Sequence, residues 1–569
     1  MITFEEYKKE ILDYLNSQKE YEQDDIELNK SLPDEVKIEK GLLINDAEVI
    51  ECVEGCYALR TFEDNSKLRI GDKVRISIGK KSAYAKVIDL CLNGLTIQTN
   101  ESLTDGQRIN IEVCESVLLD PMIKLLESME EGKPGDKFLM QLAGIEEPRK
   151  RGLGAINVED VDTIPCYMDE RKKQVIGDAL KRPSLYCIQG PPGTGKTAVL
   201  ATIAASFAAK GKDVLVLANT HQAVNNALNR IADGCQDGSV VKIGELLKAE
   251  GLSESIRAVK TFSAYLRLRK DTKHKAASIV GMTLHASIVN MGLRTSGYLP
   301  SIVLVDEAGQ IPVSQASLIG AFGCGSIIFI GDDRQMPPIF HPKLKTHELS
   351  KSIFAYVCER YPSMRNTLNV TYRMNKEITD YVSRNFYEVD GVNQKIIASE
   401  KSANRVLSFK DVNTDVPLIR DILESEQSIF ICNVTTDNSF TDCNPQEAEF
   451  AKSLVKAAEE CGLPVNEMAV ITPYRRQVKY ITSTFLEGGW TIDNMPLVNT
   501  VECLQGQDVE MIIISFCASD PLYISQQNDF LFDFHRLNVM VSRAKTKVVM
   551  LMSVDAKIYF NSIIKMLKR

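Results

Sequence analysis

No apolar run in this chain of 569 residues reaches the ~18 residues that a membrane-crossing helix requires. The expectation is therefore a protein without a membrane partner. The opening residues, MITFEEYKKE, carry neither the basic start nor the apolar core of a signal peptide. The fourteen cysteines have no regular spacing; Cys52 and Cys56 are the closest pair, and no second pair stands at zinc-ligand distance. That points to free thiols in a reducing, cytoplasmic compartment rather than to a disulfide framework or a metal cluster. Excess positive charge is missing too. Lys and Arg number 67 against 76 Asp and Glu, a formal net charge of −9, and residues 1–50 alone hold fourteen acids and six bases. The remainder of the chain is close to neutral, so a nucleic-acid partner would have to be met by a local basic surface. There is no internal repeat and no low-complexity tract.

What is present falls into three or four domains by length. Residues 1–35 read as a helical stalk, with Phe4, Tyr7, Ile11, Leu12 and Leu15 at helical spacing. Over 36–116, short β-rich runs (KVRISIG, YAKVIDLCL, GLTIQT, RINIEVC) alternate with Gly, Asn and Asp turns, the pattern of a small β-barrel. Residues 117–165 form a helical connector and a basic loop, Pro148-Arg-Lys-Arg151. From 166 the pattern becomes strand–helix alternation, first as SLYCIQ, DVLVLAN, SIVLVDE and SIIFIGD. It recurs as SIFICNV, EMAVITPY, PLVNTV, EMIIISF and KVVMLMS. Each apolar strand ends in polar residues, as parallel strands do when the loops at their carboxyl ends carry function. The fold class expected is α/β, with two parallel-sheet lobes at 166–345 and 346–569. An inserted helical subdomain is expected at about 232–276.

Gly190-Pro191-Pro192-Gly193-Thr194-Gly195-Lys196-Thr197 follows SLYCIQ and precedes an apolar helix, the setting that a phosphate-binding loop needs. Its glycines let backbone N–H groups wrap phosphates, and the helix N-terminus adds positive dipole. Lys196 is placed to reach the β- and γ-phosphates of ATP, and Thr197 to ligate Mg²⁺. Asp306 and Glu307 end the buried run SIVLV. Asp306 fits a Mg²⁺-supporting carboxylate, and Glu307 the general base that orients and deprotonates the attacking water. Taken on its own segment, the lesser alternative for the pair is a helix cap, and the neighbouring phosphate-binding loop weakens it further.

A phosphate-binding loop serves many enzyme classes, and the residues around it narrow the choice. DEAGQ at 306–310 is followed by GDDRQMPP at 331–338, LNVTYRM at 368–374, VNTVECLQG at 498–506 and RLNVMVSRAK at 536–545. This ordered set resembles the superfamily 1B helicases, specifically the Upf-like branch, over roughly residues 165–550. That branch carries a stalk helix and a small barrel ahead of two RecA-like lobes. The zinc-rich and nuclease domains usual among its members are not evident here. The resemblance implies that Gln335 senses the γ-phosphate, and that Arg373 and Arg543 are presented to it by the second lobe. It also implies that Tyr372 stacks on the base and that Gly506 approaches the γ-phosphate through its backbone. Arginine suits that task because its fork stabilises spread negative charge and keeps its proton.

The same resemblance places Thr220, Thr283 and Thr500 where hydroxyls and amides hold strand phosphates, although a hydroxyl at such a position also caps helices. The residues themselves single out the segment 257–275, with seven Lys or Arg, one acid and interleaved Phe262 and Tyr265. Arg267, Arg269 and Lys270 there are expected to touch the backbone of single-stranded DNA or RNA. The activity implied is an ATP- and Mg²⁺-dependent helicase moving 5′ to 3′ on a single strand. A nucleic-acid-gated ATPase switch is the alternative, and a metabolic kinase a more distant one. One position departs from the family: Lys172 stands where its members carry the Gln that reads adenine. A lysine has donors and no acceptor, and Gln174 lies about 200° away around a helix. Weak base discrimination, with GTP used much as ATP, is the expectation.

Overall fold

The computed structural model describes residues 2–53, 55–61, 68, 73–79, 81–91, 94–113, 119–133, 135–149, 164–166, 168–235, 239–244, 251–271, 279–289, 298–388, 394–504 and 508–567. These form two compact units: Lys8–Ser128 with Phe340–His347, and the rest of the chain. Among the described residues no helix is long and apolar enough to cross a membrane. Of the expected basic loop, Lys150 and Arg151 lie outside the described residues.

A helix from Phe4 to Lys30, most of it in the smaller unit, buries Ile11, Tyr14 and Leu15 on one face. Six antiparallel strands then close a barrel in the order β1-β2-β5-β4-β3-β6. They are β1 (Leu43–Val53), β2 (Cys56–Arg60), β3 (Lys73–Ile78), β4 (Lys81–Cys91), β5 (Gly94–Gln98) and β6 (Arg108–Val113). Alternate residues such as Val74 and Ile76, or Ile109 and Ile111, fill its interior, the period-two burial of a sheet with one covered face.

The larger unit holds two lobes. The first is built on eight parallel strands in the order β10-β9-β11-β8-β12-β13-β7-β14. They are β7 (Leu185–Gln189), β8 (Val214–Ala218), β9 (Val240–Ile243), β10 (Arg257–Val259), β11 (Ile279–Thr283), β12 (Ile302–Val305), β13 (Ile327–Gly331) and β14 (Arg365–Thr367). β7, β8, β12 and β13 are buried at every position, because helices cover both faces of such a sheet; that is why they read as unbroken apolar runs. A short parallel pair, β15 (Val370–Thr371) with β16 (Ile397–Ala398), follows. The second lobe orders β17 (Ile429–Cys432), β18 (Met468–Thr472), β19 (Leu497–Thr500), β20 (Val509–Ser515) and β21 (Ala544–Leu551) as β17-β21-β20-β18-β19, all parallel.

Two expected boundaries move. β14 pairs with β7, so the first lobe's sheet runs on to Thr367, past the expected break at 345. The expected insert at 232–276 is not a separate helical subdomain among the described residues. β9 and β10 extend the first lobe's sheet, and the helix Phe262–Asp271 packs on it. Lys242 and Arg257 punctuate these short strands, which is why their β character does not stand out as an apolar run.

Candidate active site

Among the described residues, the first lobe's candidate phosphate-site groups gather at the carboxyl edge of its sheet. The loop Gly190–Thr197 leaves β7, Asp306 and Glu307 leave β12, and Asp332–Gln335 leave β13, the strand between them. Gly193 and Gly195 take φ of +70° and +84°, a region that glycine enters without steric cost. Gly193 is doubly constrained. A Cβ there would lie 2.5 Å from Arg373 Cβ and 2.6 Å from Thr371 Oγ1, and its carbonyl accepts from Tyr372 N at 2.9 Å. The chain passing from the first lobe to the second therefore lies directly on the phosphate loop. Lys196 opens the helix Lys196–Ala209, and its ammonium donates to the Gly190 carbonyl inside the loop.

Asp306 is buried. Burial, with the neighbouring Glu307 charge, pushes its carboxyl up to about 7, against the pull of Lys196. Glu307 has φ +50° and ψ 38°, a left-handed conformation that costs a non-glycine residue about 1–3 kcal/mol and gathers at functional sites. It is tied there by its own N–H, which donates to Asp306 Oδ1 at 3.0 Å, and by its carbonyl, which accepts from Gln310 N at 2.9 Å. Thr197 and Asp306 offer hard oxygen donors, and a dehydrated carboxylate that resists ionisation beside a second acid is suited to a small divalent cation. Two protein oxygens, completed by waters and phosphate oxygens, is the usual Mg²⁺ arrangement. Among the described residues no group of three or more His, Cys, Asp or Glu forms a self-sufficient metal cage.

The second lobe brings two arginines. Arg373 donates from Nη1 to the Ser542 carbonyl at 3.0 Å and pairs through Nη2 with Asp508 at 2.8 Å. Arg543 ends the helix Phe534–Ser542 and is buried. Burial and the charge of Arg373 lower its pKa to about 10, while Glu307 and Asp508 work the other way. It stays a cation at neutral pH and feels the carboxylate of the first lobe. The Nε atoms of Arg373 and Arg543 are both buried without a hydrogen-bond partner, although a guanidinium normally fills such donors. Gly506 lies outside the described residues.

Gln335 donates to Asp332 Oδ2 at 2.6 Å. The same oxygen accepts from Tyr387 OH at 2.5 Å, and Tyr387 OH accepts from Asn538 Nδ2 at 3.1 Å. Asn538 Nδ2 also reaches the Arg334 carbonyl at 2.7 Å. Gln335 thus joins a buried chain of hydrogen bonds that crosses from one lobe to the other. Behind it, Gln189 Nε2 donates to Asp333 at 2.8 Å and Arg365 Nη2 to the same carboxylate at 3.2 Å. Tyr387 sits in a π-helical turn, Ser383–Tyr387, a feature that recurs at functional sites. Sequence reasoning finds Gln335 but misses Asp332, Tyr387 and Asn538. Asp332 stands inside the same GDDRQ run; Tyr387 comes from 55 residues away and carries no local signal.

Lys172 and Tyr372 meet as the resemblance implies. The Lys172 ammonium lies 3.9 Å from the centre of the Tyr372 ring, and its Cε is 3.5 Å from where a Cβ on Gly195 would stand. Asp169, unforeseen, organises both: it caps the helix Glu170–Leu180, pairs with Lys172 at 2.9 Å and accepts from Tyr372 OH at 2.8 Å. Burial works against its charge, but these bonds outweigh it and hold its carboxyl below the usual range.

The expected strand-contact residues divide. Thr220 and Thr283 stand just beyond and at the carboxyl ends of β8 and β11, and their hydroxyls accept from Ala223 N at 3.2 Å and Ala286 N at 3.1 Å as helix caps. Thr500 ends β19. The helix that carries Arg267, Arg269 and Lys270 is not brought to that edge. It runs back along the sheet, and Arg269 pairs at 2.8 Å with Asp213, which immediately precedes β8. Phe262 and Tyr265 are buried in a cluster with Tyr298, so neither offers a face to a base.

Two family models, both described as an AAA domain, match residues 167–276 and 349–555. The chain is similar to the DNA replication ATP-dependent helicase/nuclease dna2 of Schizosaccharomyces pombe, at 28% identity over 67% of this chain and 27% of that protein. Its likeness to the Homo sapiens DNA2 helicase/nuclease is 24% over 91% of this chain and 50% of that protein. For an uncharacterized ATP-dependent helicase of Methanocaldococcus jannaschii the figures are 26%, 75% and 74%. The chain spans about half or less of the length of the first two relatives. Among solved structures, an Arterivirus nonstructural protein 10 helicase overlaps 92% of this chain and 79% of its own at 12% identity and a TM-score of 0.39. With two AAA domains matched in tandem over the two lobes, and relatives of this kind, the chain belongs to the superfamily 1 helicases.

Proposed function

We propose that this protein is a nucleic-acid helicase that hydrolyses ATP with Mg²⁺ in the cleft between its lobes and moves 5′ to 3′ along a single strand. The observation that carries the reading is the facing of Arg373 and Arg543, two cations whose buried Nε donors are unfilled, with Lys196, Asp306 and Glu307 across one cleft. In this reading Lys196 leaves the Gly190 carbonyl for the β- and γ-phosphates. Glu307 orients a water and takes its proton as the water oxygen bonds to the γ-phosphorus. The bond from that phosphorus to the bridging oxygen breaks, and ADP and inorganic phosphate leave. Bound at Thr197 and Asp306, the cation would offset charge on the phosphate oxygens. Arg373 and Arg543 stabilise the charge that spreads over the transferring group; a finger of this kind is worth ~10³–10⁵ in rate.

Loss of the γ-phosphate removes the reason for the two arginines to approach the first lobe. The chain Gln335–Asp332–Tyr387–Asn538 carries that change between lobes and so couples chemistry to movement. Thr220, Thr283 and Thr500, at strand ends, are the groups that hold strand phosphates in this proposal. The free cysteines among the described residues suit a cytoplasmic setting. The deciding experiment measures ATP turnover with matched single-stranded DNA and RNA, beside strand displacement from a tailed duplex. Stimulated turnover with displacement from a 5′ tail supports the helicase. Stimulated turnover without displacement would replace it by a gated switch, and turnover indifferent to nucleic acid would overturn both.

A further inference from the structure

The connection between β19 and β20 ties one edge of the second lobe's sheet to the arginines at the other. Thr500 is the last residue of β19, and Asp508 immediately precedes β20. The strands of this sheet run parallel, so the eight residues 501–508 lead from its carboxyl edge to its amino edge. Both acids of this crossover are ion-paired. Glu502 Oε1 meets Arg536 Nη2 at 2.8 Å, and Arg536 stands on the helix Phe534–Ser542, which Arg543 ends. Asp508 Oδ1 meets Arg373 Nη2 at 2.8 Å, and its charge is felt by Arg543 as well. A crossover that begins at a proposed strand contact is thereby clipped to both elements that carry an arginine toward the cleft.

The Asp508 pair also sets the state in which Arg373 waits. One corner of its guanidinium lies on the Ser542 carbonyl and one on the Asp508 carboxylate, while Nε has no partner. A carboxylate on the fork offsets the charge that the fork would offer to a phosphate, and two anions brought to one guanidinium repel each other. Arginine keeps its proton, so Arg373 changes partner rather than charge when it turns to a phosphate. We propose, resting on the helicase reading above, that Asp508 is a latch. It pairs with Arg373 while no strand is bound, and a strand held at Thr500 draws the 501–508 crossover away and frees Arg373 for the γ-phosphate. Asp508 acts through Arg373 and is a positioning residue. The Glu502–Arg536 pair passes the same displacement to the helix that ends at Arg543.

Linkage fixes the signs. A pair that strand binding must break opposes strand binding and ATP use alike, so removing it should favour both. The test compares Asp508→Asn and Asp508→Glu with the unmodified full chain. Asn keeps the size of the side chain and removes its charge; Glu keeps the charge. Asp508→Asn is expected to raise ATP turnover without nucleic acid about five- to tenfold and to lower KM for ATP in that condition. Its stimulation by a single strand should shrink by a similar factor, and Asp508→Glu should restore much of the stimulation. Without nucleotide, anisotropy of a labelled single strand should show Asp508→Asn binding at least about threefold tighter. The salt slope should not change, because no phosphate contact is added. A purely structural Asp508 predicts the reverse, lower turnover with and without strand and no gain in strand affinity. If the unmodified protein is a strand-stimulated ATPase and unstimulated turnover stays level or falls in Asp508→Asn, the latch is overturned and the proposed function stands. If the unmodified protein hydrolyses no ATP, tighter strand binding by Asp508→Asn keeps the latch and removes the proposed function, and unchanged binding removes both.

Discussion

The two edges of the first lobe's sheet are built from similar residues and put to different uses. At the amino edge, a cation is settled locally: Arg269 pairs with Asp213. At the carboxyl edge, charged groups are held in costly states. Asp306 is buried with a raised pKa, Glu307 is kept left-handed, and Lys196 is folded onto a backbone carbonyl. Charge that the fold neutralises on the spot supports structure. Charge that the fold holds ready at an energetic cost supports chemistry, because a preorganised group needs no reorganisation when the transition state forms.

The contrast breaks most completely at Lys196 and Glu307. Lys196→Ala and Glu307→Gln should each reduce ATP turnover to below a few per cent of the unmodified protein. Glu307→Gln should still bind nucleotide, since the change keeps the shape and removes the base. Steady-state turnover with a phosphate-release assay and nucleotide binding by fluorescence check the pair. Turnover above a few per cent in Glu307→Gln would return the residue to a structural role.

Next in size are the arginines of the second lobe. Arg373→Ala and Arg543→Ala should each cost ~10³–10⁵ in kcat with a modest loss of ATP affinity, because a group that acts on developing charge contributes little to the ground state. A rise in KM alone would make them binding residues and would dissolve the cleft as a catalytic unit. Tyr387→Phe tests the link between the lobes. It removes one hydrogen bond to a buried carboxylate, an interaction worth about 1.5–3 kcal/mol. Nucleic-acid-stimulated turnover should fall about tenfold and the thermal midpoint should drop; unchanged stimulation would mean that the lobes communicate by another route.

Legibility in the sequence follows how each feature is encoded. Strands covered on both faces, such as β7 and β13, print as unbroken apolar runs, and the phosphate loop prints as fixed spacing beside them. β9 and β10 escape notice because Lys242 and Arg257 interrupt short strands, and β14 because RNT has no apolar residue at all. Its place is set by pairing with β7, which the sequence holds only as tertiary information. Asp332 and Asp169 stand beside residues that the motifs single out, yet their partners, Tyr387 and Tyr372, come from 55 and 203 residues away. The basic segment misleads in a different way. Its composition suggests an open basic face, but the period of the helix turns Phe262 and Tyr265 inward to the core.

The smallest expected effect lies there and is the sharpest test of the comparison. If the amino edge is structural, replacing Arg267 and Arg269 together by Gln should leave single-strand affinity and its salt dependence unchanged. A cation that neutralises one phosphate of a single strand contributes ~0.7 to the log–log slope of affinity against salt, so two such cations would contribute about 1.4. A difference of that size is well within reach of a titration over several salt concentrations. The stability cost should also be small. The side chain of Arg269 is 42% exposed, and partly exposed ion pairs contribute about 0–1 kcal/mol, so the thermal midpoint should move by only a few degrees at most. A flattened slope would bring the strand over the amino edge after all, and the three threonines at the opposite edge would then be left without a role on the strand.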